Sequence, residues 1–438
     1  MFSALWARLK PSRRRVSVYM AVFLGTLVLR ASLDVWAGYQ LRAVSARIAP
    51  TYGGRLDAAS LSPPAVAPGE NRARLVSAAA ALTDVSREPL RRDRFTQALL
   101  GAAPAEPEAR LAILRQAVAD NRLALQVLDE IESRPKANFE IVYEDGHRAR
   151  MPSLLAIRDL GNLVSAAGRV AVAEGNADEA VRRARLGLTL AGSLAQEPNL
   201  LIQLIHLAVG REQLRLIRDV LDAADPSAAA LESLAGRIEE VRASDPVVTG
   251  LIGELKVMNS TLGGLGGGAT PWDPRQEAGG FWSRALVWFL RPAVRVGHAR
   301  ALDDLDRTIT FARLEPYERE ARKLLLPVDE PQPWWWRKLS PMVLGGLERG
   351  VRSGDEQRAM LMLASTAVAL RRCRLERGNY PERLDQLAPA FVLRAPIDPY
   401  TGRAPAYARS GAGVTLLVTP PPGTPDSIRT LLRWDIVR

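Results

Sequence analysis

The chain has few of the side chains that carry catalysis or bind metal ions. A single cysteine, Cys373, occurs among 438 residues, which excludes an internal disulfide and any zinc site built from several cysteines. It lies in a helical apolar pattern, so we interpret it as a small buried side chain. Histidine is also scarce, with only His147, His206 and His298 present. His206 stands among leucines and isoleucines, a pattern typical of a core or helix-surface imidazole.

Common catalytic and ligand-binding motifs are missing as well. The sequence has no His-Glu-x-x-His, no Gly-x-x-x-x-Gly-Lys, no Gly-x-Ser-x-Gly and no EF-hand loop. The run Gly264, Gly266, Ala269 formally fits a dinucleotide fingerprint, but no strand precedes it and Pro271 follows it, so we interpret it as a loop. No cofactor and no metal site are predicted, and an enzymatic function is the less favoured class.

Acidic residues are outnumbered, with 48 Asp and Glu against 59 Lys and Arg and a net charge of +11. Five of these positive charges lie in residues 1–15, a basic segment without an acid. No long Lys/Arg run with interleaved aromatic residues follows, so a nucleic-acid partner is not predicted.

Residues 16–39 form the longest apolar stretch, interrupted by Arg30 and Asp34. Val16 to Leu29 alone is too short to cross a bilayer, and extension to Tyr39 supplies the missing length. A cleaved signal peptide ending at Val35-Trp36-Ala37 is the alternative. We favour an uncleaved transmembrane helix, with the basic N-terminus on the cytoplasmic side and the bulk of the chain on the other.

The rest of the chain predicts a mainly α fold in several parts. Residues 40–72 contain a proline-rich patch and predict a tether. Residues 73–350 repeat apolar residues at helical spacing and predict an irregular antiparallel α-helical domain. Within it, residues 138–150 alternate in polarity around Asp145-Gly146, which predicts a β-hairpin insertion. This hairpin would bring His147 near Glu140 and Glu144, the one place where an acid–base site is conceivable.

Within the helical domain, residues 154–191 place small residues on two successive helical stripes around Gly175-Asn176. This pair of predicted helices resembles a tetratricopeptide helical hairpin.

Residues 262–340 of the same domain are rich in glycine and tryptophan. Aromatic rings beside basic residues there fit a membrane interface or a partner groove, whereas the alternative is that they fill a seam between the helical domain and the C-terminal module. The candidate interaction residues are Trp282, Trp288, Trp334, Trp335 and Trp336.

Residues 353–438 predict a separate α+β module. Ser353 to Glu356 fit a capping box, and an apolar helix face then continues to a stop at Gly378. A short helix is predicted from Pro381 to Leu387. Extended segments follow at residues 391–393, 406–408 and 414–418, which predict a small antiparallel sheet. The module's structural motif comprises Gly378, Tyr380, Pro381, Pro396, Asp398, Pro399 and Gly402.

These motif residues resemble the C-terminal part of type II secretion major pseudopilins and of bacterial envelope proteins of unknown function. The resemblance implies a long helix packed on a three-stranded sheet, with the Asp398-Pro399 turn at the start of the sheet region. The processing site and the calcium ligands of pseudopilins have no counterpart in this sequence. We therefore expect a single-pass protein of the bacterial inner membrane, mostly periplasmic, acting as a scaffold or binding protein for an unidentified protein partner. The alternatives are an accessory component of a secretion or pilus-like system, and an envelope enzyme with its site at residues 138–150.

Overall fold

Helices dominate the computed structural model, which describes residues 13–85, 88–104, 106–267, 281–411, 413–421 and 424–436. A small three-stranded antiparallel sheet lies near the C-terminus, so the predicted mainly α class is confirmed. The helices are α1 (Arg13–Ile48), α2 (Arg72–Leu82), α3 (Pro89–Leu99), α4 (Pro107–Asp120), α5 (Arg122–Asp129), α6 (Leu154–Ala173), α7 (Ala177–Gly192), α8 (Leu200–Ala223), α9 (Ala228–Arg242), α10 (Pro246–Gly267), α11 (Phe281–Arg313), α12 (Pro316–Ala321), α13 (Trp334–Leu344), α14 (Leu347–Arg377) and α15 (Asp426–Leu431). The strands are β1 (Ala406–Ser410), β2 (Gly413–Leu417) and β3 (Arg433–Ile436).

Helix α1 begins at Arg13, just before the apolar stretch, and continues well beyond it. Among the described residues it is the one helix long and apolar enough to cross a membrane. Most apolar side chains before Tyr39 are exposed, which suits contact with lipid. After Tyr39 the same helix joins the folded body, because Ile48 is buried against α10 and α11.

The structure differs from the predicted tether over residues 40–72. Helix α1 occupies this segment as far as Ile48, and two 3-10 turns follow at Ala49–Tyr52 and Ala58–Leu61. Tyr52 is buried, and its hydroxyl donates a 2.8 Å hydrogen bond to Asp306 of α11. The proline-rich patch misled the prediction, since the apolar residues before it pack on helices about 250 residues away in the sequence.

Helices α6 and α7 form the antiparallel pair expected from the sequence. Gly175 adopts a positive φ of 76° between them, and the Asn176 side chain accepts a hydrogen bond from the Glu179 amide. The small residues of α6, however, face α8. A β-carbon on Gly168 would lie 2.4 Å from the Leu216 side chain, so this glycine permits the close α6–α8 approach.

No β-hairpin forms at residues 138–150, contrary to the prediction. Residues 138–142 are irregular, and Tyr143–Arg148 is a 3-10 segment. The apolar residues of the pattern point into the core instead of across a strand pair. Tyr143 is buried, and its hydroxyl donates a 2.7 Å hydrogen bond to Glu197.

The C-terminal module shares its longest helix with the body. Helix α14 begins at Leu347 and runs through the predicted capping box at residues 353–356, so that box is wrong. The helix ends where predicted, at Gly378, which has a φ of 78° and donates its amide to the Arg374 carbonyl. One core cluster joins α8, α9, α14 and the sheet, which makes the module continuous with the helical body.

Strand β2 is central in the sheet and pairs antiparallel with β1 and β3. Tyr407 lies opposite Leu416, which lies opposite Trp434 in turn. Strands β1 and β2 match predicted extended segments. Residues 391–393 are irregular rather than a strand, and only Leu384–Leu387 of the short predicted helix is helical, as a 3-10 turn.

Candidate functional site

A cleft of about 720 Å³ lies between the helical body and the C-terminal module. Helices α8 and α14 contribute to its lining, together with the junction of α9 and α10 and the junction of α11 and α12. Residues 392–397, just before the Asp398-Pro399 turn, complete it. The cleft is large enough for a small ligand or a short chain segment.

Hydrogen bonds of Asp245 and Arg358 hold one wall of the cleft in place. The Asp245 carboxylate accepts a 3.2 Å hydrogen bond from the Val248 amide, which starts α10 after the break at Ser244. Its other oxygen accepts a 2.7 Å bond from Arg358 of α14. Arg358 also donates to the Ala312 carbonyl at 2.9 Å, so one guanidinium joins three elements around the cleft.

Gln357 is the most unusual side chain in the cleft. It is only 2% exposed, yet neither its amide oxygen nor its amide nitrogen has a hydrogen-bond partner among the described residues. It lies against Gly210 of α8, where a β-carbon would approach the Gln357 Nε2 to 2.6 Å. A buried amide without partners costs free energy, which a ligand with a donor and an acceptor would recover.

His206 lies one turn before Gly210 on the same helix and is also buried. Its Nδ1 is 2.8 Å from the Ala191 carbonyl, which can only accept, so Nδ1 carries the proton. Burial lowers the pKa of His206 to about 4, which keeps the ring neutral near pH 7. Its Nε2 therefore offers a lone pair, and no described residue donates to it.

Glu315 is the third residue with an unpartnered atom, at the junction of α11 and α12. Its Oε2 is buried without a hydrogen-bond partner in the described part of the chain. Burial raises the pKa of this carboxyl, and the nearby Arg358 opposes the shift. The cleft thus combines unused acceptors with one unused amide donor.

Hydroxyl groups in the cleft are not arranged as nucleophiles. Ser365 donates to the Glu239 carboxylate at 2.7 Å, Thr366 to the Met362 carbonyl and Ser244 to the Val241 carbonyl. A serine nucleophile needs a neighbouring base positioned by a third group, and no described hydroxyl here contacts His206. The geometry suits binding by hydrogen bonds and charge.

The predicted Asp398-Pro399 turn borders this cleft. Asp398 is buried, and its two carboxylate oxygens accept hydrogen bonds from the amides of Tyr400 and Thr419, at 2.8 and 3.2 Å. Gly402 has a φ of 68° and lies against the Tyr317 ring. Pro396 and Pro399 line the cleft.

Other motif residues lie away from the cleft and stabilise the module. Gly378 ends α14, Tyr380 is buried in the shared core, and the Pro381 carbonyl accepts a 2.7 Å bond from the Tyr407 hydroxyl.

The candidate tryptophans are dispersed rather than joined in one surface. Trp336 is buried, and its Nε1 donates a 2.7 Å bond to Asp304 of α11. Trp335 packs edge-on against it, while Trp334 is 77% exposed. Trp288 is partly exposed beside α1, under the Arg30 guanidinium. The side chain of Trp282 lies outside the described part of the structure.

The acidic residues of the acid–base site predicted at residues 138–150 lie at the surface. Glu140 pairs with Arg74 at 2.8 Å, and Glu144 and Asp145 are exposed. The side chain of His147 lies outside the described residues. Residues 262–267, part of the predicted glycine-rich loop, belong to α10, and residues 268–280 are not described.

Sequence reasoning missed Gln357 and Glu315. Gln357 stands among residues that are almost all buried. A single amide side chain in such an apolar helix is the sequence feature that could have identified this site. Its neighbour Gly210 lies on another helix, so the missing partners are visible only in three dimensions.

Comparison of the chain with protein-family models, with curated proteins and with solved structures finds no match.

Proposed function

We propose that this protein is a membrane-anchored, periplasmic scaffold or binding protein, and that its cleft holds an extended segment of a partner protein. Helix α1 supports the anchor by length and apolar composition. The basic N-terminal segment supports an inner-membrane orientation with the body in the periplasm.

The observation that carries the proposal is the unpartnered Gln357 amide on the cleft floor. A peptide backbone presents a donor and an acceptor on each residue, which is what a buried amide side chain requires. His206 Nε2 and Glu315 Oε2 add acceptors for further N–H groups. Exposed apolar residues at the rim would contact side chains of the same segment.

The rim supports an extended ligand. Residues 393–397 form no backbone–backbone hydrogen bond with a described residue, so their carbonyls, and the amides of all but Pro396, can pair with another chain. Leu393 is 87% exposed, and Ile397 is exposed as well. Pairing of an extended peptide with such a segment is a common recognition mode.

The accessory role in a secretion or pilus-like system remains a proposal that rests on the resemblance of the C-terminal module.

Site-specific photo-cross-linking in living cells tests the binding proposal. A photoreactive residue replaces Leu393 at the rim, and a matched control replaces the exposed Leu201 outside the cleft. We expect one discrete adduct at position 393 and none at 201.

The Gln357→Leu variant makes the test specific. This change removes an unsatisfied buried amide, so the melting temperature should stay the same or rise. The adduct at position 393 should nevertheless weaken by about tenfold, since roughly 1.4 kcal/mol of hydrogen bonding is lost. An adduct of unchanged yield in this variant would refute a binding role for the cleft.

A further inference from the structure

Helices α1 and α11 run side by side in the same direction at the end of the apolar stretch. At this level of their contact lies one described carboxylate, Asp34, surrounded by arginines, whereas Asp303 and Asp306 lie further along α11 and pair with Arg47. Arg295 Nη1 lies 3.0 Å from Asp34 Oδ1, Arg291 Nε lies 3.8 Å from the same oxygen, and Arg30 Nη1 lies 3.9 Å from Oδ2. Three guanidinium groups therefore share one negative charge.

A fourth arginine joins this cluster from α1. A β-carbon on Gly38 would lie 3.3 Å from Arg295 Nη1 and 3.6 Å from Arg42 Nη1, so the two guanidinium groups flank the same glycine. Arg42 has no carboxylate partner within the described residues. The arginine cluster, defined as Arg30, Arg42, Arg291 and Arg295, is thus short of three negative charges.

Two N–H donors of the arginine cluster also lack a hydrogen-bond partner among the described residues. The Nε atoms of Arg30 and Arg291 are buried, and neither has a hydrogen-bond partner in the part of the chain that the structure describes. Arg42 is exposed, and the other three arginines are half-buried. Cations this close together repel each other, and a bound anion with several acceptor oxygens would reduce this repulsion and accept hydrogen bonds from the two unpartnered Nε groups.

The apolar surroundings of the cluster indicate what carries the anion. Arg30 stacks over the Trp288 ring at 3.8 Å and donates to the Trp288 carbonyl at 2.6 Å. The exposed side chains of Leu33, Phe289 and Leu290 lie on the same two helices. An anionic group held at the cluster would therefore have apolar surface next to it, as a phospholipid requires.

We propose that the arginine cluster binds the phosphate of an anionic phospholipid, whose acyl chains lie along α1 and residues 288–290 of α11. Guanidinium groups bind phosphate oxygens through paired hydrogen bonds, and basic side chains near the membrane surface attract anionic lipid headgroups. The inference rests on the membrane anchor of the proposed function and is independent of the cleft.

Native mass spectrometry of the full chain in nanodiscs tests the lipid site. The nanodiscs contain either phosphatidylcholine alone or phosphatidylcholine with phosphatidylglycerol. We expect one phosphatidylglycerol to stay bound to the wild type after release from the mixed discs. In Arg42→Gln/Arg291→Gln the preference for phosphatidylglycerol over phosphatidylcholine should fall roughly 25-fold, because the loss of each arginine lowers it by about fivefold.

The Asp34 pairs with Arg30 and Arg295 persist in this variant, so its fold should be retained. A control of equal charge, Arg55→Gln/Arg352→Gln, changes two exposed arginines outside the cluster and should keep the lipid. Equal retention in the cluster variant and the wild type would overturn the proposal. So would displacement of the lipid by millimolar inorganic phosphate, which would assign the cluster to a soluble anion.

Carbonate extraction of the same variants separates this inference from the anchor. We expect every variant to remain in the membrane pellet, because α1 keeps its apolar stretch. If the wild type itself is extracted, the proposal of a membrane anchor is refuted. If all variants stay in the pellet but the cluster variant keeps the preference for phosphatidylglycerol, only the proposal of a lipid site is refuted.

Discussion

Arg319 of α12 and Asp355 of α14 form a buried ion pair with two hydrogen bonds. Arg319 Nη1 lies 2.7 Å from Asp355 Oδ2, and Nη2 lies 2.9 Å from Oδ1. Two residues before Arg319, the Tyr317 amide donates to the Pro399 carbonyl at 3.1 Å. Helix α12 therefore connects the long helix α14 to the Asp398-Pro399 turn, next to the cleft.

Removal of one partner of this pair should destabilise the protein strongly. Asp355→Ala leaves the Arg319 charge buried without its carboxylate, and the free energy of unfolding should fall by about 3–5 kcal/mol. Chemical denaturation of the purified chain in detergent measures this loss. The double variant Arg319→Met/Asp355→Leu should recover most of it, because it buries no unpaired charge. A double variant as unstable as Asp355→Ala would contradict this account.

The Asp398-Pro399 turn should act through folding. Asp398→Ala removes the acceptors of two backbone amides in a buried site, which should cost about 2 kcal/mol. Gly402→Val places a branched side chain at a φ of 68° and against the Tyr317 ring, with a comparable loss.

Thermal melts of the full chain measure both effects, with Asp385→Ala as an exposed control that should change stability by less than about 0.5 kcal/mol. Calcium and chelator should give the same melting temperature. A rise with calcium that Asp398→Ala abolishes would show that this carboxylate binds metal.

Turn and capping residues in the sequence correctly predicted those parts of the structure that depend on adjacent residues. Gly175 and Asn176 form the turn between α6 and α7, and Gly378 ends α14, since backbone conformation and capping depend on adjacent residues. The start of α14 was not predictable in this way. Ser353 and Glu356 fit a capping box by sequence, but both lie inside a helix that begins at Leu347. Asp355, between them, pairs with Arg319, which lies 36 residues earlier in the sequence.

Long-range packing also determines the structure of the segments for which the sequence-based prediction was wrong. Tyr52 lies in the predicted tether, yet its hydroxyl bonds to Asp306, 254 residues away. The same limit applies to the cleft: Gln357 is recognisable as a polar residue in an apolar helix, but its lack of partners depends on how α8 and α14 pack.

Two tryptophans from the same short run should differ in how much their substitution destabilises the protein. Trp336→Phe removes the hydrogen bond to Asp304 and leaves that carboxylate short of a buried donor, which should cost about 2 kcal/mol. Trp334→Phe changes an exposed ring and should alter stability by less than about 0.5 kcal/mol. Denaturant unfolding in parallel compares them. Equal losses would mean that Trp334 also packs inside the protein.

His206 should make stability depend on pH between about 4 and 6.5. Burial lowers its folded pKa from 6.5 to about 4, so the unfolded chain binds this proton more readily in that range. Its contribution to the unfolding free energy is therefore constant above pH 6.5 and falls by about 3 kcal/mol as the pH drops to 4.

The comparison of wild type with His206→Gln isolates this effect from carboxylates that titrate in the same range. Glutamine can still donate to the Ala191 carbonyl but takes up no proton, so the difference between the two unfolding free energies should shrink or reverse as the pH falls. His298, whose pKa burial also lowers to about 4, provides a second case, and the double variant should lose twice the pH dependence. Parallel pH profiles for wild type and His206→Gln would show that the imidazole is accessible to protons in the folded cleft.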